Sequence, residues 1–288
     1  MSLSRTGAYL PNGNFLPKQY SAYMQAIYHG THVVPLIANR DYDGDINKPG
    51  DTVYIRKKPS ISTFDYTIGQ DLEKQASLAD DVITLSIDYG TYFNVPINDV
   101  DEFLSDIDIQ LAVADEGAVA IGDKIEQRVL QTIYASGTTT LTASALDSST
   151  AIKYFRQAAM SLQQLNVPDN DLWAVIDPIT YYFITGSSLN VATTTGGINK
   201  TLNTYKVEGK IAGFDVYVSN NLLAGTSTSK ILFGHRDALA FASKFQKAEV
   251  VRDTKDFADL LRTLVVYGFK VVKPDAMGCI NVTSFGTL

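Results

Sequence analysis

A helical pattern between residues 99 and 134 constrains the fold of this chain more than any other feature. Apolar side chains recur there every three or four positions, from Val100 through Ile121 to Ile133, without a proline. Asp99 and Glu102 match a capping pair at the start. A helix over this range would be about 50 Å long. Its apolar spacing drifts and does not keep a strict heptad, which favours a spine for other elements over a coiled coil.

Strand patterns precede this helix. Residues 1–15 are typical of an extended arm, and a short amphipathic helix is predicted over 16–30. From Thr52 the pattern has a period of two, and a second alternating run, "VITLSIDYGTYFNVPI", begins at Val82. A polar stretch with scattered aromatic residues separates the two runs. The sequence therefore predicts two antiparallel strands joined by a loop too long for a tight hairpin.

The second half of the chain mixes helices and strands. The Ser/Thr-rich residues 136–150 are predicted to be a linker and the best internal boundary. A helix over 150–165 is expected to bury Ile152, Phe155, Ala159 and Leu162. "DLWAVID" predicts a buried strand, and Asp177 is placed to cap a helix that begins at Pro178. The glycine loop "TTTGGINK" is followed by the strand patterns "GKIAGFDVYVSN", "KILFGHRDALAFA", "KAEVVRD", "LLRTLVVYGFKVV" and "MGCINV". This order predicts an α+β fold without regular βαβ units.

Composition excludes several classes of function. The 288 residues are 45% hydrophobic and carry a net charge of −7, which suits one large or two modest lobes and gives no general electrostatic grip on nucleic acid. Cys279 is the only cysteine, so an intrachain disulfide and a cysteine-cluster zinc site are excluded. The N-terminus lacks a signal-peptide pattern and no apolar run reaches membrane-spanning length. We therefore expect a soluble protein that stays where it is made.

The acidic stretch "NRDYDGDINKPGDTVYI" (residues 39–55) raises the question of a calcium loop. Its aspartates at 41, 43 and 45 match the first three ligand positions of an EF-hand loop. However, Ile46 stands where the loop needs glycine, and Thr52 stands where it needs a bidentate glutamate. Turn formation by Asp and Gly is the favoured interpretation. A calcium-dependent binding module or hydrolase that uses the Asp41–Asp51 cluster remains an alternative of a different class.

Other candidate chemistry is weaker still. His29 and His32 form an H-x-x-H pair with no evident third ligand, which favours a structural role over zinc binding. His235 lies close to Asp237, but the chain has no G-x-S-x-G nucleophile motif. Cys279 lies in a strand pattern, where a small core residue is expected. The sequence predicts no catalytic, cofactor or metal site.

The strongest functional signal is a division of charge. Seven acids between Asp99 and Glu116 come without a Lys or Arg, whereas three basic residues follow the first strand. Two solvated faces would explain this pattern. Alternatively, the loop reaches a second copy of the chain and lies over its acidic helix, which would set register more than strength. The candidate interface residues are Arg56, Lys57, Lys58, Phe64, Tyr66, Asp106, Asp108, Asp115 and Glu116.

The order of arm, long loop, spine helix, mixed lobe and closing strands resembles the major capsid proteins of tailed bacteriophages, the Hong Kong 97-like family. The stretches that carry the resemblance are "DYDGDINKPGDTVYI", "LSIDYGTYFNVPINDVDEFLSD", "LQQLNVPDNDLWAVIDPITYYFI", "GKIAGFDVYVSNNL" and "FADLLRTLVVYGFKVVKPDAMGCINV". Together they span nearly the whole chain. Each is a loose pattern, and their joint order carries the resemblance.

The resemblance implies a structural, non-enzymatic subunit without a cofactor. It would assemble into hexamers and pentamers of an icosahedral phage head around double-stranded DNA, in the host bacterial cytoplasm. Portal, scaffold and decoration proteins are expected partners, and a membrane is not. The implied division is an N-terminal arm (1–35), an extended loop and stem (50–98), a spine helix with peripheral domain (99–144), an axial domain (145–238), and peripheral strands with the C-terminus (239–288). A cellular encapsulating shell of the same fold is the alternative.

Overall fold

The computed structural model describes residues 32–42, 52–56, 61–66, 68–69, 71, 82–98, 109–185, 206–222, 229–254 and 257–285. The predicted helix over 16–30, the loop "TTTGGINK" and the first ten positions of the predicted spine helix lie outside these residues. Among the described residues, no helix is long and apolar enough to cross a membrane.

Four α-helices are described. They are α1 (Val34–Ile37), α2 (Ile109–Ser136), α3 (Ala151–Gln164) and α4 (Pro178–Thr185). The spine prediction is confirmed over the described part of α2. Pro178 opens α4 as predicted, and the backbone N–H of Thr180 donates to Oδ1 of Asp177 at 3.1 Å, so Asp177 caps this helix.

Within the described ranges, eleven strands form three sheets. The strands are β1 (Thr52–Arg56), β2 (Val82–Ser86), β3 (Tyr89–Asn98), β4 (Thr139–Ala143), β5 (Leu172–Ile176), β6 (Lys206–Ile211), β7 (Phe214–Val218), β8 (Ser229–His235), β9 (Leu239–Arg252), β10 (Ala258–Val271) and β11 (Met277–Val282). The sheet orders are β1-β2, β3-β10-β9 and β4-β11-β8-β5-β7-β6. The mixture of segregated helices and mainly antiparallel sheets confirms the predicted α+β class.

The helix α2 lies between the two larger sheets. Its buried stripe of Ile121, Ile125, Val129 and Ile133 belongs to one core. That core also holds Trp173 and Leu232 of the six-stranded sheet, and Phe241, Val265 and Tyr267 of the three-stranded sheet. The predicted apolar stripe therefore joins the two sheets from Ile121 to Ile133, whereas Ala114 and Ala118 pack on the three-stranded sheet in a separate cluster.

A second core covers the opposite face of the six-stranded sheet. The helices α3 and α4 pack there through Phe155, Leu162 and Phe183, against Phe214, Phe233 and Ile280 from three strands. The buried face of α3 is Ala151, Tyr154, Phe155, Ala158 and Leu162, so the predicted burial of Phe155 and Leu162 is confirmed. Ile152 and Ala159 are partly buried beside this row, and Ala159 packs against the core.

The pair β1-β2 is antiparallel and forms the stem of the predicted loop. One face, including Ile55 and Leu85, packs on Ala240, Ala242 and Val266 of the three-stranded sheet. Gly268 permits this approach, because an added Cβ would lie 2.3 Å from the carbonyl oxygen of Ser86. The stem is therefore seated directly on β10.

Three sequence patterns divide differently from the prediction. The run from Val82 breaks at residues 87–88 into β2 and β3, which belong to separate sheets. "GKIAGFDVYVSN" is a hairpin, because Ala212 and Gly213 take φ of 51° and 93° at a two-residue turn. "KILFGHRDALAFA" is interrupted by a 3₁₀ turn at Arg236–Ala238, where the backbone N–H of Asp237 donates to Nδ1 of His235.

One correction concerns the predicted linker. Residues 136–150 contain β4, which pairs in parallel with β11 of the six-stranded sheet. The strand β11 lies between β4 and β8. Parallel pairing between residues about 140 positions apart leaves no local signal in the sequence, which explains the error.

Candidate subunit interface

The stem exposes one face and buries the other. Because side chains alternate along a strand, Tyr54, Arg56, Val82 and Thr84 share the face that turns away from the core. Arg56 and Val82 are cross-strand partners at the end of the stem that leads into the loop. Arg56, the first of the three basic residues predicted to lie at the interface, is therefore exposed on the outer face. Lys57 and Lys58 lie outside the described residues.

The loop beyond the stem carries large apolar side chains in solvent. Ile61 is 75% exposed, Phe64 48%, Tyr66 70% and Ile68 89%. Several exposed large apolar side chains within one segment are characteristic of an interaction surface. The structure thus places the predicted interface residues Phe64 and Tyr66 where a second molecule can reach them.

Two of the four predicted acidic interface residues lie within the described part of the chain. Glu116 is exposed on α2, and Asp115 beside it is partly buried. This end of the helix lies close against β3, because a Cβ on Gly117 would come within 2.5 Å of the Phe93 ring. Asp106 and Asp108 lie outside the described residues. Arg56 and Glu116, both described, do not pair with each other within one chain.

A buried carboxylate, missed by the sequence analysis, ties the end of the arm to α2. Glu126 is 2% exposed. Its Oε2 accepts from the backbone N–H of Val33 at 2.8 Å, and its Oε1 accepts from the hydroxyl of Ser219 and, at 3.3 Å, from the side-chain amide of Asn221. We call this group of four residues the Glu126 cluster. It connects the entry to α1, the spine helix and the segment after β7.

The ring of His32 supports the same junction. Its Nε2 lies 3.4 Å from Oδ1 of Asp123, which also accepts from Nδ2 of Asn221 at 2.8 Å. Gly122 makes room for the ring, since a Cβ there would lie 2.2 Å from Cε1 of His32. The predicted structural role of His32 fits these contacts. The one signal for this cluster in the sequence was the position of Glu126 next to the buried stripe residue Ile125. The partners of Glu126 are more than 90 residues away along the chain, so the pattern could not identify them.

The remaining candidate residues have structural surroundings. Cys279 is buried in β11, as predicted, and this burial raises the pKa of its thiol. Asp41 starts a turn in which its own backbone N–H donates to Oδ1 of Asn39, and the other aspartates of the cluster lie outside the described residues. Within the described ranges, no three His, Cys, Asp or Glu side chains are grouped as metal ligands would be.

Among known proteins, similarity to this chain is found in solved structures and not in sequence families. No protein-family model and no curated protein sequence matches the chain. A solved structure from Mycobacterium phage Che8 is 24% identical, with a TM-score of 0.67 over 85% of this chain and 89% of that one. The capsid of cyanophage P-SCSP1u is 17% identical, with a TM-score of 0.61 over 100% and 93% of the two chains.

A virus-like particle is also similar. The virus-like particle from Pyrococcus furiosus is 12% identical, with a TM-score of 0.56 over 91% of this chain and 98% of that one. The likeness thus extends over most of each chain while the sequences have diverged widely. The chain has the Hong Kong 97-like capsid fold, as its sequence resemblance implied.

Proposed function

We propose that the chain is the major capsid protein of a tailed bacteriophage, a structural subunit without enzymatic activity. It assembles into the hexamers and pentamers of an icosahedral head that encloses double-stranded DNA. The observation that carries the proposal is the set of exposed large apolar side chains Ile61, Phe64, Tyr66 and Ile68, which no described part of the chain covers. The full-length likeness to phage capsids supports the same conclusion.

In this proposal the loop of one copy reaches the acidic helix of the next. Arg56, Lys57 and Lys58 pair with Asp106, Asp108, Asp115 and Glu116 of the neighbour. Exposed ion pairs contribute about 0 to 1 kcal/mol each, so they direct register and assembly rate. The loop and the helix are different surfaces, and a repeated contact between unlike surfaces closes into rings when the rotation permits.

The proposal extends to partners and place. A portal, a scaffold and decoration proteins join the same shell, and assembly occurs in the bacterial cytoplasm before the subunit becomes part of the virion. The net charge of −7 suits a wall that contains DNA without binding its sequence. The arm, loop, peripheral and axial regions keep the boundaries given above, except that β4 and β11 are shared with the axial sheet.

The test is assembly of the purified chain, followed by gel filtration and negative-stain microscopy. We expect rings or shells from the wild type, and a stable 31.5 kDa monomer under all conditions would contradict the proposal. Reversal of Arg56, Lys57 and Lys58 to Glu should abolish shells and leave the circular dichroism spectrum unchanged. The matched control reverses three exposed cations elsewhere, Lys153, Arg156 and Lys273, and should still assemble. Equal failure of both variants would show that net charge, not the loop-to-helix pairing, controls assembly.

A cellular compartment that encloses a protein cargo is the second candidate. The Pyrococcus furiosus particle supports it, because that structure matches over nearly all of its length. The content of particles purified from the native source separates the two candidates. A phage head yields nuclease-protected double-stranded DNA, whereas a compartment yields a co-purifying protein and no protected nucleic acid.

A further inference from the structure

The chain passes between the two larger sheets three times after β3. Helix α2 leads from β3 to β4, a 3₁₀ turn at Arg236–Ala238 joins β8 to β9, and a second 3₁₀ turn at Pro274–Ala276 joins β10 to β11. The backbone N–H of Val272 donates to the carbonyl oxygen of Ala238 at 2.8 Å. Just after α2, the N–H of Thr138 donates to the carbonyl oxygen of Pro274 at 3.3 Å. The three connections therefore meet, and we call residues 138, 236–238 and 272–276 the sheet junction.

His235 is the last residue of β8 and borders the sheet junction. Its side chain is 6% exposed. Nδ1 accepts a hydrogen bond from the backbone N–H of Asp237 at 3.1 Å, whereas Nε2 is buried and has no hydrogen-bond partner within the described part of the chain. A neutral imidazole has one acceptor nitrogen and one N–H group, so the bond to Asp237 places the ring proton on Nε2. The neutral ring thereby ties the turn at Arg236–Ala238 to the end of β8.

Protonation of this ring would break the contact. Both nitrogens of an imidazolium are donors, so the new N–H at Nδ1 would point at the backbone N–H of Asp237. The ring would also carry a charge in a buried place, and a buried charge is costly unless it is paired. Imidazole is the side chain whose charge ordinarily changes between about pH 8 and about pH 5. Mild acid therefore opposes the bond between His235 and Asp237.

The charged groups nearby do not provide a pair for an imidazolium. Those on the elements around His235 are Asp169 and Asp171 before β5, Arg236 and Asp237 of its own turn, and Lys273 and Asp275 of the second turn. All of them are exposed, and within the described ranges none forms an ion pair with the His235 ring. His32 differs, because its Nε2 lies 3.4 Å from Oδ1 of Asp123. Of the two histidines that the structure describes, His235 is the one without a carboxylate beside it.

We propose that His235 makes the sheet junction sensitive to acid: the neutral ring holds the turn at Arg236–Ala238, and uptake of a proton from solvent at Nδ1 releases it. The carbonyl oxygen of Ala238 links this turn to Val272, and that of Leu239 accepts from the backbone N–H of Asn39 at 2.8 Å. Release of the turn therefore loosens the links to the end of β10 and to the segment after α1, while the ladders within each sheet stay intact. This device belongs to a single chain and does not depend on the proposed function.

Hydrogen exchange of the unassembled subunit tests the device. Exchange is measured by NMR at about pH 7.5 and about pH 5 and corrected for the intrinsic rate. In the wild type, protection of the Asp237 and Val272 amides should fall about ten-fold in acid, because each loses a hydrogen bond. The amide of Leu232, inside β8, should keep its protection. Unchanged protection at Asp237 would overturn the proposal, and so would an equal loss at Leu232, since the whole subunit would then open.

Two substitutions at position 235 separate the acceptor from the titration. His235→Asn keeps an acceptor near the place of Nδ1 but does not titrate, so the Asp237 amide should be protected equally at both pH values. His235→Leu removes the acceptor, so this amide should lack protection at both. His32→Gln is the matched control and should show the wild-type fall. A His235→Asn chain that loses protection in acid as the wild type does would refute the role of His235.

The protonation state of the ring gives an independent measurement. The chain has three histidines, so the NMR spectrum of a chain labelled with nitrogen-15 histidine is simple, and the signal missing from His235→Asn identifies His235. We expect the neutral tautomer with its proton on Nε2, and protonation of the ring should follow the same pH dependence as the loss of Asp237 protection. A neutral ring with its proton on Nδ1 would contradict the proposal, because it could not accept from Asp237. Different pH dependences for the two signals would contradict it as well.

Discussion

Replacement of Glu126 by alanine should destabilise the subunit by about 3–5 kcal/mol. The change removes the acceptor for the backbone N–H of Val33 and for the hydroxyl of Ser219, both of which are buried. A buried donor left without an acceptor costs about 1–3 kcal/mol, and the lost side-chain volume adds to the loss. Glu126→Gln keeps the volume and one acceptor, so about 1–2 kcal/mol is expected for it.

Urea unfolding of the unassembled subunit, followed by circular dichroism, measures these differences. Lys124→Ala is the control, because Lys124 is exposed on the same helix and should change stability by less than about 0.5 kcal/mol. Hydrogen exchange adds a local measurement, since the amide of Val33 should lose protection in Glu126→Ala. A Glu126→Ala variant as stable as the control would refute the reasoning, and so would an unchanged Val33 amide.

Two further predictions concern single positions. Gly122→Ala should destabilise the folded chain by about 1–3 kcal/mol, because the new Cβ displaces the ring of His32. This loss exceeds the gain of about 1 kcal/mol that alanine gives over glycine in an exposed helix. A raised urea midpoint would contradict the prediction. Hydrogen bonds from the Ser149 side chain and backbone, and from the backbone of Thr150, lower the pKa of Asp147 from 3.8 to about 2. Its stabilisation is therefore complete above about pH 4 and declines as the pH falls toward 2. Asp147→Asn should therefore reduce the change of the melting temperature with pH between about pH 4 and 2. A variant whose melting temperature changes with pH as in the wild type would disprove this role of Asp147.

The sequence predicted elements whose pattern is local. The stripe of α2 and the cap at Asp177 follow from side-chain periodicity and from the chemistry of the first helical turn. The hairpin at Ala212 and Gly213 was missed because alanine seldom adopts a positive φ, so the turn has no strong signal.

The residues of the candidate interface were predictable in part. The charge of Arg56 and the aromatic character of Phe64 and Tyr66 are visible in the sequence, and the structure exposes all three. The pairing of β3 with β10 was not predictable, because it joins residues more than 150 positions apart. The Glu126 cluster likewise depends on contacts over more than 90 residues. Long-range register is the information that a single sequence lacks.

The positions of β10 and β11 within their sheets affect biosynthesis. Each is an inner strand: β10 separates β3 from β9, and β11 separates β4 from β8. Both follow the other strands of their sheets along the chain, so neither sheet can close until residues 258–282 have left the ribosome. A chain that a nonsense codon or a stalled ribosome cuts short before Ala258 would leave the flanking strands with unpaired edges. Such a fragment would expose the strand edges that these two inner strands cover in the complete sheets.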